Sequence, residues 1–427
     1  MRRLAPSLCL LTALLGPAPL PCLAQEAGVA QGPDAAKALP VSAIEFAGNH
    51  TTRPRVMLRE LPFALGEPAD AAAVERGRQA ILDLGLFKAV QAESRVVDGG
   101  LVVTYTVVEK FYILPLPRVD ANTDGQYAYG MQLRWSNLWG LNHTLRVTGL
   151  QREAQRQGVG KENQYSFSYG APFVAESRWS LGLSASYTDR PVEASGGSYN
   201  EEFQALQFIG IRALSDGPPS QGWSLGTGLL WQRQDTSGLV APYGEATAPL
   251  LSLGYRDLRF RVYSEEGLVF GSRLEVARSG LASDYDYTRL SAGATRYWAV
   301  GDKPYQTFHL LGEFGLRWQG PAGTTSYGLG GSSALRGYDK DFIEGDAYYR
   351  LATEFVHPVG WRWLRAVLIT EVGALSEEPG QLLGSRVYSS IGLGLRLRLP
   401  TLVDFEIEAG VAMPLTGGAV RVFGGKV

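Results

Sequence analysis

Ser390-Ile391-Gly392-Leu393-Gly394-Leu395-Arg396-Leu397-Arg398-Leu399 is a run in which every second residue is Ile or Leu and every intervening one is small or charged. Side chains alternate across a strand, so this spacing builds a β-strand with one apolar and one polar face. A second run repeats the pattern, with Val403, Phe405, Ile407, Ala409 and Val411 opposed to Asp404, Glu406, Glu408 and Gly410. Charges held to one face over such lengths fit a polar lumen inside a lipid-facing barrel. A soluble sandwich of the same strands would need a further cover for every apolar face.

Upstream, Trp223, Leu225, Thr227, Leu229 and Trp231 form another such face with a tryptophan at each end. A tilted strand of that length rises about 20 Å along the membrane normal, so the two rings reach the two interfacial belts. All nine tryptophans follow residue 110, and from Phe111 onward the helical period is absent. Sixteen alternating segments are placed from one centred near residue 115 to one near residue 421, the even number expected of a closed bacterial barrel. The 427 residues include 52 glycines and 20 tyrosines, a composition suited to many strands with aromatic ends. A formal net charge of −2 offers no electrostatic surface for nucleic acid.

Arg2-Arg3 precede an apolar stretch centred on Leu8 to Leu15, then the breakers Gly16, Pro17, Pro19 and Pro21 and a small-residue site ending at Ala24. This is the layout of a signal peptide, so residues 1–24 are assigned to a leader cleaved after Ala24. Pro21 before Cys22 is a poor fit to a lipidation site. Both cysteines, Cys9 and Cys22, then leave with the leader, and thiol chemistry plays no part in the mature chain. Residues 25–40 are rich in Ala, Gly and Pro and read as a flexible linker. Beyond the leader, no stretch approaches the roughly 20 apolar residues of a membrane helix.

Residues 41–110 read as a separate α+β unit. Val41, Ile44 and Phe46 begin a strand that stops at Gly48-Asn49, and helices are predicted from Arg53 to Leu61 and from Asp70 to Leu84. Asp70 is placed to cap the second helix and Gly85 to end it. Phe87 and Val90 open a strand, and Asp98-Gly99-Gly100 turns into the alternating strand Leu101 to Val108. The predicted order is βααββ.

Leu329 to Asp346 is too polar and glycine-rich for a strand, yet alternating segments run up to it and resume after it, which makes it a long loop. Its centre, Leu335-Arg336-Gly337-Tyr338, resembles the arginine-glycine-aromatic tip of the inward-folded loop in the outer-membrane assembly-factor superfamily of the BamA and TamA type, the bacterial surface antigen family. Gly330-Gly331 and Gly345-Asp346 sit where that family's pattern puts them. Ser136-Asn137-Leu138-Trp139-Gly140 is similar to the family's early hairpin turn, and Ala171-Pro172-Phe173 to its proline turn. Gly48-Asn49 and Leu84-Gly85-Leu86-Phe87 resemble a polypeptide-transport-associated (POTRA) domain. The resemblance implies an α+β periplasmic POTRA domain over 41–110, followed over 111–427 by an all-β outer-membrane barrel of sixteen antiparallel strands.

Ile369-Thr370-Glu371-Val372-Gly373 falls where the family has Phe-x-Asp-x-Gly. The resemblance therefore assigns Glu371, beside Gly373, as the lumen partner of Arg336, in a bidentate contact that the longer Glu still permits. Ile369 stands where the family has its aromatic packing partner. The seam where first and last strands meet is placed at Pro115 and Pro117, which donate no backbone hydrogen bond, and at Gly417 and Gly418 in a segment extending to Val427. That segment lacks the terminal aromatic usual in the family and ends Phe423-Gly424-Gly425-Lys426-Val427.

Catalysis is not expected. His50, His143, His309 and His357 are scattered without metal-ligand spacing and read as surface or girdle residues. No Gly-x-Ser-x-Gly turn surrounds Ser332 or Ser333, and Asn142-His143 has no assignable serine. No metal or cofactor is expected, and the partners are outer-membrane lipid and unfolded or extended client proteins, with accessory subunits left open. The resemblance implies assistance to protein insertion or translocation, by strand addition to the periplasmic domain and lateral opening of the barrel. The alternative is an outer-membrane pore or structural barrel that handles no protein.

Overall fold

The computed structural model describes residues 38–121, 127–153, 161–194, 197–237, 244–320 and 326–426. The expected leader and most of the 25–40 linker, with Cys9 and Cys22, lie outside the described residues.

The N-terminal region contains β1 (Leu39–Ala47), α1 (Pro54–Leu58), β2 (Pro68–Ala69), α2 (Ala71–Asp83), β3 (Phe87–Val97) and β4 (Gly100–Glu109). Its sheet order is β2-β1-β4-β3, with β1 parallel to β4. The predicted βααββ order thus gains a two-residue strand, β2, whose Ala69 and Pro68 pair with Leu39 and Pro40. Asp70 caps α2 by accepting from the Ala73 N–H at 2.7 Å, and Gly85 follows its end with φ +72°, the conformation that lets a chain leave a helix. The first helix is shorter than predicted because Leu61 precedes Pro62, and the proline ring disfavours helical backbone at the residue before it. Val56, Met57, Ile81, Leu86, Phe87 and Tyr105 form the core between helices and sheet.

Sixteen further strands form one antiparallel sheet. They are β5 (Ile113–Ala121), β6 (Tyr127–Leu138), β7 (His143–Glu153), β8 (Glu162–Ala171), β9 (Trp179–Ala194) and β10 (Gly197–Ala213). β11 (Gly222–Ser237), β12 (Gly244–Phe260), β13 (Glu265–Ala277), β14 (Tyr287–Ala299) and β15 (Thr307–Gln319) follow. β16 (Tyr327–Leu329) and β17 (Ile343–Gly345) pair only with each other, inside the long loop. The sheet resumes with β18 (Ala347–Val359), β19 (Trp361–Ser376), β20 (Val387–Arg398), β21 (Glu406–Pro414) and β22 (Arg421–Lys426). In β20 and β21, Leu393, Leu395, Ile407 and Val411 are exposed outward while Ser390, Arg396, Glu406 and Glu408 are buried inward. Val403 and Phe405 do not belong to that strand: β21 starts at Glu406, and Val403 joins the N-terminal core instead. Trp223 packs against Tyr255 and Phe270 at one end of the barrel.

The N-terminal region is clasped to the turns at one rim. Asn137 Nδ2 donates to Thr52 Oγ1 at 2.8 Å, and Arg53 N donates to the Gly140 carbonyl at 2.9 Å. Arg59 lies over the Phe173 ring, Glu60 accepts from Ser220 Oγ at 2.8 Å, and Asp83 accepts from Phe260 N at 2.7 Å. The connector to the barrel, Lys110-Phe111-Tyr112, is held throughout. Lys110 Nζ donates to the Gly85 carbonyl and lies over Phe260, Phe111 bridges to Leu402, and Tyr112 Oη donates to the Leu86 carbonyl.

This joint carries opposed titrations. Burial, with Arg398 nearby, pulls the Lys110 amine down to about 8. Its contribution to docking is complete above the ordinary lysine value and is lost as pH falls through about 8. Burial pushes the Glu60 and Asp83 carboxyls up, so their contribution is complete at acid pH and is lost as pH rises through their raised values. Replacing Lys110 with Met should therefore remove the gain in protease resistance of the joint that the parent shows between pH 8 and pH 10. A parent with no alkaline gain would contradict the assignment.

Candidate functional site: loop tip and seam

The loop between β15 and β18 turns into the lumen, and Leu335 to Tyr338 are all buried. Its base is tied by Arg317 Nη2 to Asp346 Oδ2 at 2.9 Å and by Arg289 Nη2 to Ser326 Oγ at 3.0 Å. At the tip, Arg336 Nη1 lies 3.2 Å from Glu371 Oε1, while its backbone N–H donates to Glu371 Oε2 at 2.6 Å. The guanidinium also meets Glu354 at 3.0 Å and Glu408 at 3.6 Å. The expected two-pronged side-chain pair is replaced by this three-way arrangement, because Glu371 Oε1 also takes Arg350 at 3.3 Å and Oε2 also takes Ser390 Oγ at 3.4 Å. Arg396 closes the network on Glu354 at 2.7 Å and on Glu408 through Nε at 2.6 Å.

Arg336, Arg350 and Arg396 thus face Glu354, Glu371 and Glu408, with Glu313 also on Arg350 and Glu406 also on Arg396. A buried charge is tolerated only when so paired. Gly373 gives clearance: a Cβ there would lie 3.0 Å from the Tyr349 carbonyl. Gly337 lies against Pro414 and Met413, and Tyr338 Oη reaches the Ser389 carbonyl at 3.1 Å and Thr416 Oγ1 at 2.8 Å. His309, expected at the surface or girdle, is instead in the lumen, with Nδ1 3.3 Å from Glu354.

Sequence reasoning missed Glu354, Glu408 and Phe423. Ile369 packs with Val356, Val367, Ala412 and Phe423, and the ring that the resemblance places at position 369 is supplied from β22, three strands along the wall, by Phe423, 5.5 Å from the Arg336 guanidinium. An aromatic on the inward face of the last strand, between Arg421 and Gly425, was the available signal.

The two ends of the sheet, β5 and β22, have no ladder between them among the described residues. At the rim carrying the N-terminal region, the turn between β20 and β21 meets the chain around β5 and β6: Phe111 N donates to the Thr401 carbonyl at 2.8 Å and Arg134 Nη1 pairs with Asp404 at 2.9 Å. Pro115 and Pro117 lie in β5, opposite Leu133 and Met131. Gly417 and Gly418, expected in the last strand, lie in the turn before it, with φ +94° and +149°. That left-handed backbone suits a turn glycine and not an extended strand.

A sheet of sixteen strands with a lumen-folded loop and one small α+β domain at its rim defines a class of two-part outer-membrane barrels. Residues 137–417 match the Omp85 superfamily domain and residues 39–110 match the POTRA family described as a surface antigen variable number repeat, so the chain belongs to the Omp85 superfamily. It resides in the outer membrane with its POTRA region in the periplasm. Over 80 residues it is 35% identical to the outer membrane protein assembly factor BamA of Nitratidesulfovibrio vulgaris, a stretch covering 19% of this chain and only 9% of that protein. Its fold is similar to that of CdiB from Escherichia coli, with TM-score 0.65, 15% identity and coverage of 90% of this chain and 75% of that one. BamA from Haemophilus ducreyi lacking POTRA domains 1–3 matches with TM-score 0.53, 15% identity and coverage of 90% and 84%.

Proposed function

We propose that this chain assists insertion or translocation of proteins at the outer membrane, with residues 41–110 as the capturing domain and 111–427 as the barrel. The carrying observation is that β5 and β22 have no ladder between them among the described residues. An extended client adds to the free edge of β3, the outermost strand of the POTRA sheet, and reaches the bilayer through that junction. The reading assigns no catalysis. The buried tip and its arginine–glutamate network occupy the lumen, which weighs against a passive pore.

The test is reconstitution of the full chain into vesicles with an unfolded outer-membrane barrel as client. Acceleration of client folding over protein-free vesicles is expected, and no acceleration would leave only a structural barrel. Cysteines paired across β5 and β22 should abolish the acceleration when oxidised and restore it when reduced. A cross-link that forms and leaves client folding unchanged would remove lateral opening.

A further inference from the structure

Arg212 on β10 and Arg296 on β14 stand on the lipid face of the wall, each beside a tryptophan. On β14, Tyr297 turns into the lumen against His309, with ring centroids 4.7 Å apart, so its neighbours Arg296 and Trp298 turn outward. The Arg296 guanidinium lies 5.7 Å from the Trp298 ring, and Trp298 packs on Phe308 of β15 at 5.8 Å. No carboxylate pairs with Arg296 among the described residues, and Glu266, the outward carboxylate at the start of β13, is taken by Arg261 at 3.2 Å. This part of the wall is its periplasmic half. Tyr305, in the turn after β14, packs on Tyr263 in the turn after β12, close to Phe260 where Asp83 of the POTRA domain is clasped.

A guanidinium there can reach interfacial water along its own stem, so position alone decides nothing. The surroundings of the two arginines differ. Beside Arg212, whose guanidinium lies 6.0 Å from the Trp179 ring, that ring covers Gly210: a Cβ there would be 3.7 Å from Trp179 Cζ3. The indole thus fills the space on the bilayer side of Arg212. On the bilayer side of Arg296 the outward residues are small. Ala294 and then Ala292 follow on β14, and Ala294 stands between Gly312 on β15 and Phe270 on β13. The Phe270 ring leans the other way, to within 6.3 Å of the Trp223 ring. A furrow therefore runs up the wall from Arg296, floored by small residues, with Leu268 and Leu310 flanking the arginine.

We infer that this furrow holds a resident phospholipid of the periplasmic leaflet. Arg296 takes two phosphate oxygens through its planar fork, Trp298 sits at headgroup level, and one acyl chain lies over Ala294, Ala292 and Gly312. The charge is complementary, and the face is one that the bilayer covers. The site lies on β13–β15, well away from β5 and β22 in the strand order. It requires neither client capture nor lateral opening, so its failure leaves the proposed function untouched.

The experiment is native mass spectrometry of the full chain in detergent, titrated with dioleoylphosphatidylglycerol. The parent should retain one lipid most tightly. Arg296→Gln should weaken that binding about tenfold and Arg296→Lys about threefold, because an ammonium keeps the charge but not the fork. Gly312→Leu fills the furrow with Arg296 intact and should also weaken binding about tenfold. Arg212→Gln should leave it unchanged. Dioleoylglycerol, which has the chains without the phosphate, should bind about tenfold more weakly than the phospholipid, and excess inorganic phosphate, which lacks the chains, should not displace the lipid. The proposal is overturned if Arg296→Gln binds like the parent, if Arg212→Gln loses as much as Arg296→Gln, if dioleoylglycerol is retained equally, or if inorganic phosphate competes.

Discussion

Arg336→Ala should cost on the order of 3–5 kcal/mol, the range for removing one partner from a buried ion pair. The substitution leaves Glu371, which is 3% exposed, with Arg350 alone among cations, and strips Glu354 and Glu408 of a shared neighbour. The expected result is early loss of the compact electrophoretic form on heating in detergent, together with cleavage of the 326–346 loop under mild proteolysis. Arg336→Lys should recover little, since a single compact ammonium lacks the planar fork whose Nη1, Nη2 and Nε each face a different glutamate. Combining Arg336→Ala with Glu371→Gln should cost less than the sum of the two, because each removes the other's unpaired charge. Strict additivity in the melting shifts would show that the two groups do not share one network.

Gly337→Ala should be nearly as damaging although it adds one methyl. The new Cβ would sit 2.7 Å from the Met413 carbonyl carbon, 2.8 Å from Pro414 N and 2.9 Å from Ser390 Cβ. Two of these are backbone atoms that cannot rotate away, so the tip must lift from the wall, and overpacking of this kind costs about 1–3 kcal/mol or more. Lifting also draws Arg336 off its three glutamates, so the two losses compound. The control is Gly380→Ala, where nothing lies within 4 Å. A Gly337→Ala loop as protease-resistant as that of Gly380→Ala would contradict the close packing at the tip.

The barrel was legible because lipid outside and water inside impose a period of two on every strand, visible in Ile391 to Leu399 without reference to any neighbour. Asp70 and Gly85 were legible for a similar reason: capping is local chemistry. The start of β21 was misplaced because Val403 continues the alternation by chance, while its burial is decided by the POTRA core on the far side of a turn. Gly417 and Gly418 were assigned to the strand on flexibility alone, but their positive φ marks a turn. At the site, Arg336 and Glu371 were paired only through the family's pattern. Glu354 and Glu408 carry no local mark that separates them from other lumen carboxylates, because their partner comes from a loop crossing the barrel. Phe423 escaped for the same reason: its ring answers a gap at Ile369, three strands away around the wall.

The joint between the two domains is only Lys110-Phe111-Tyr112, since β4 ends at Glu109 and β5 begins at Ile113. Even fully extended, such a connector reaches about 11 Å. If every clasp to the rim turns were released, the POTRA domain still could not drift away from the barrel mouth, nor could it rotate freely. It could only hinge, and the hinge pin is the start of β5, one of the two strands with a neighbour on one side only among the described residues. Any pull on the domain is thereby applied as torque at the first residues of β5, with Phe111 and Leu402 at the fulcrum.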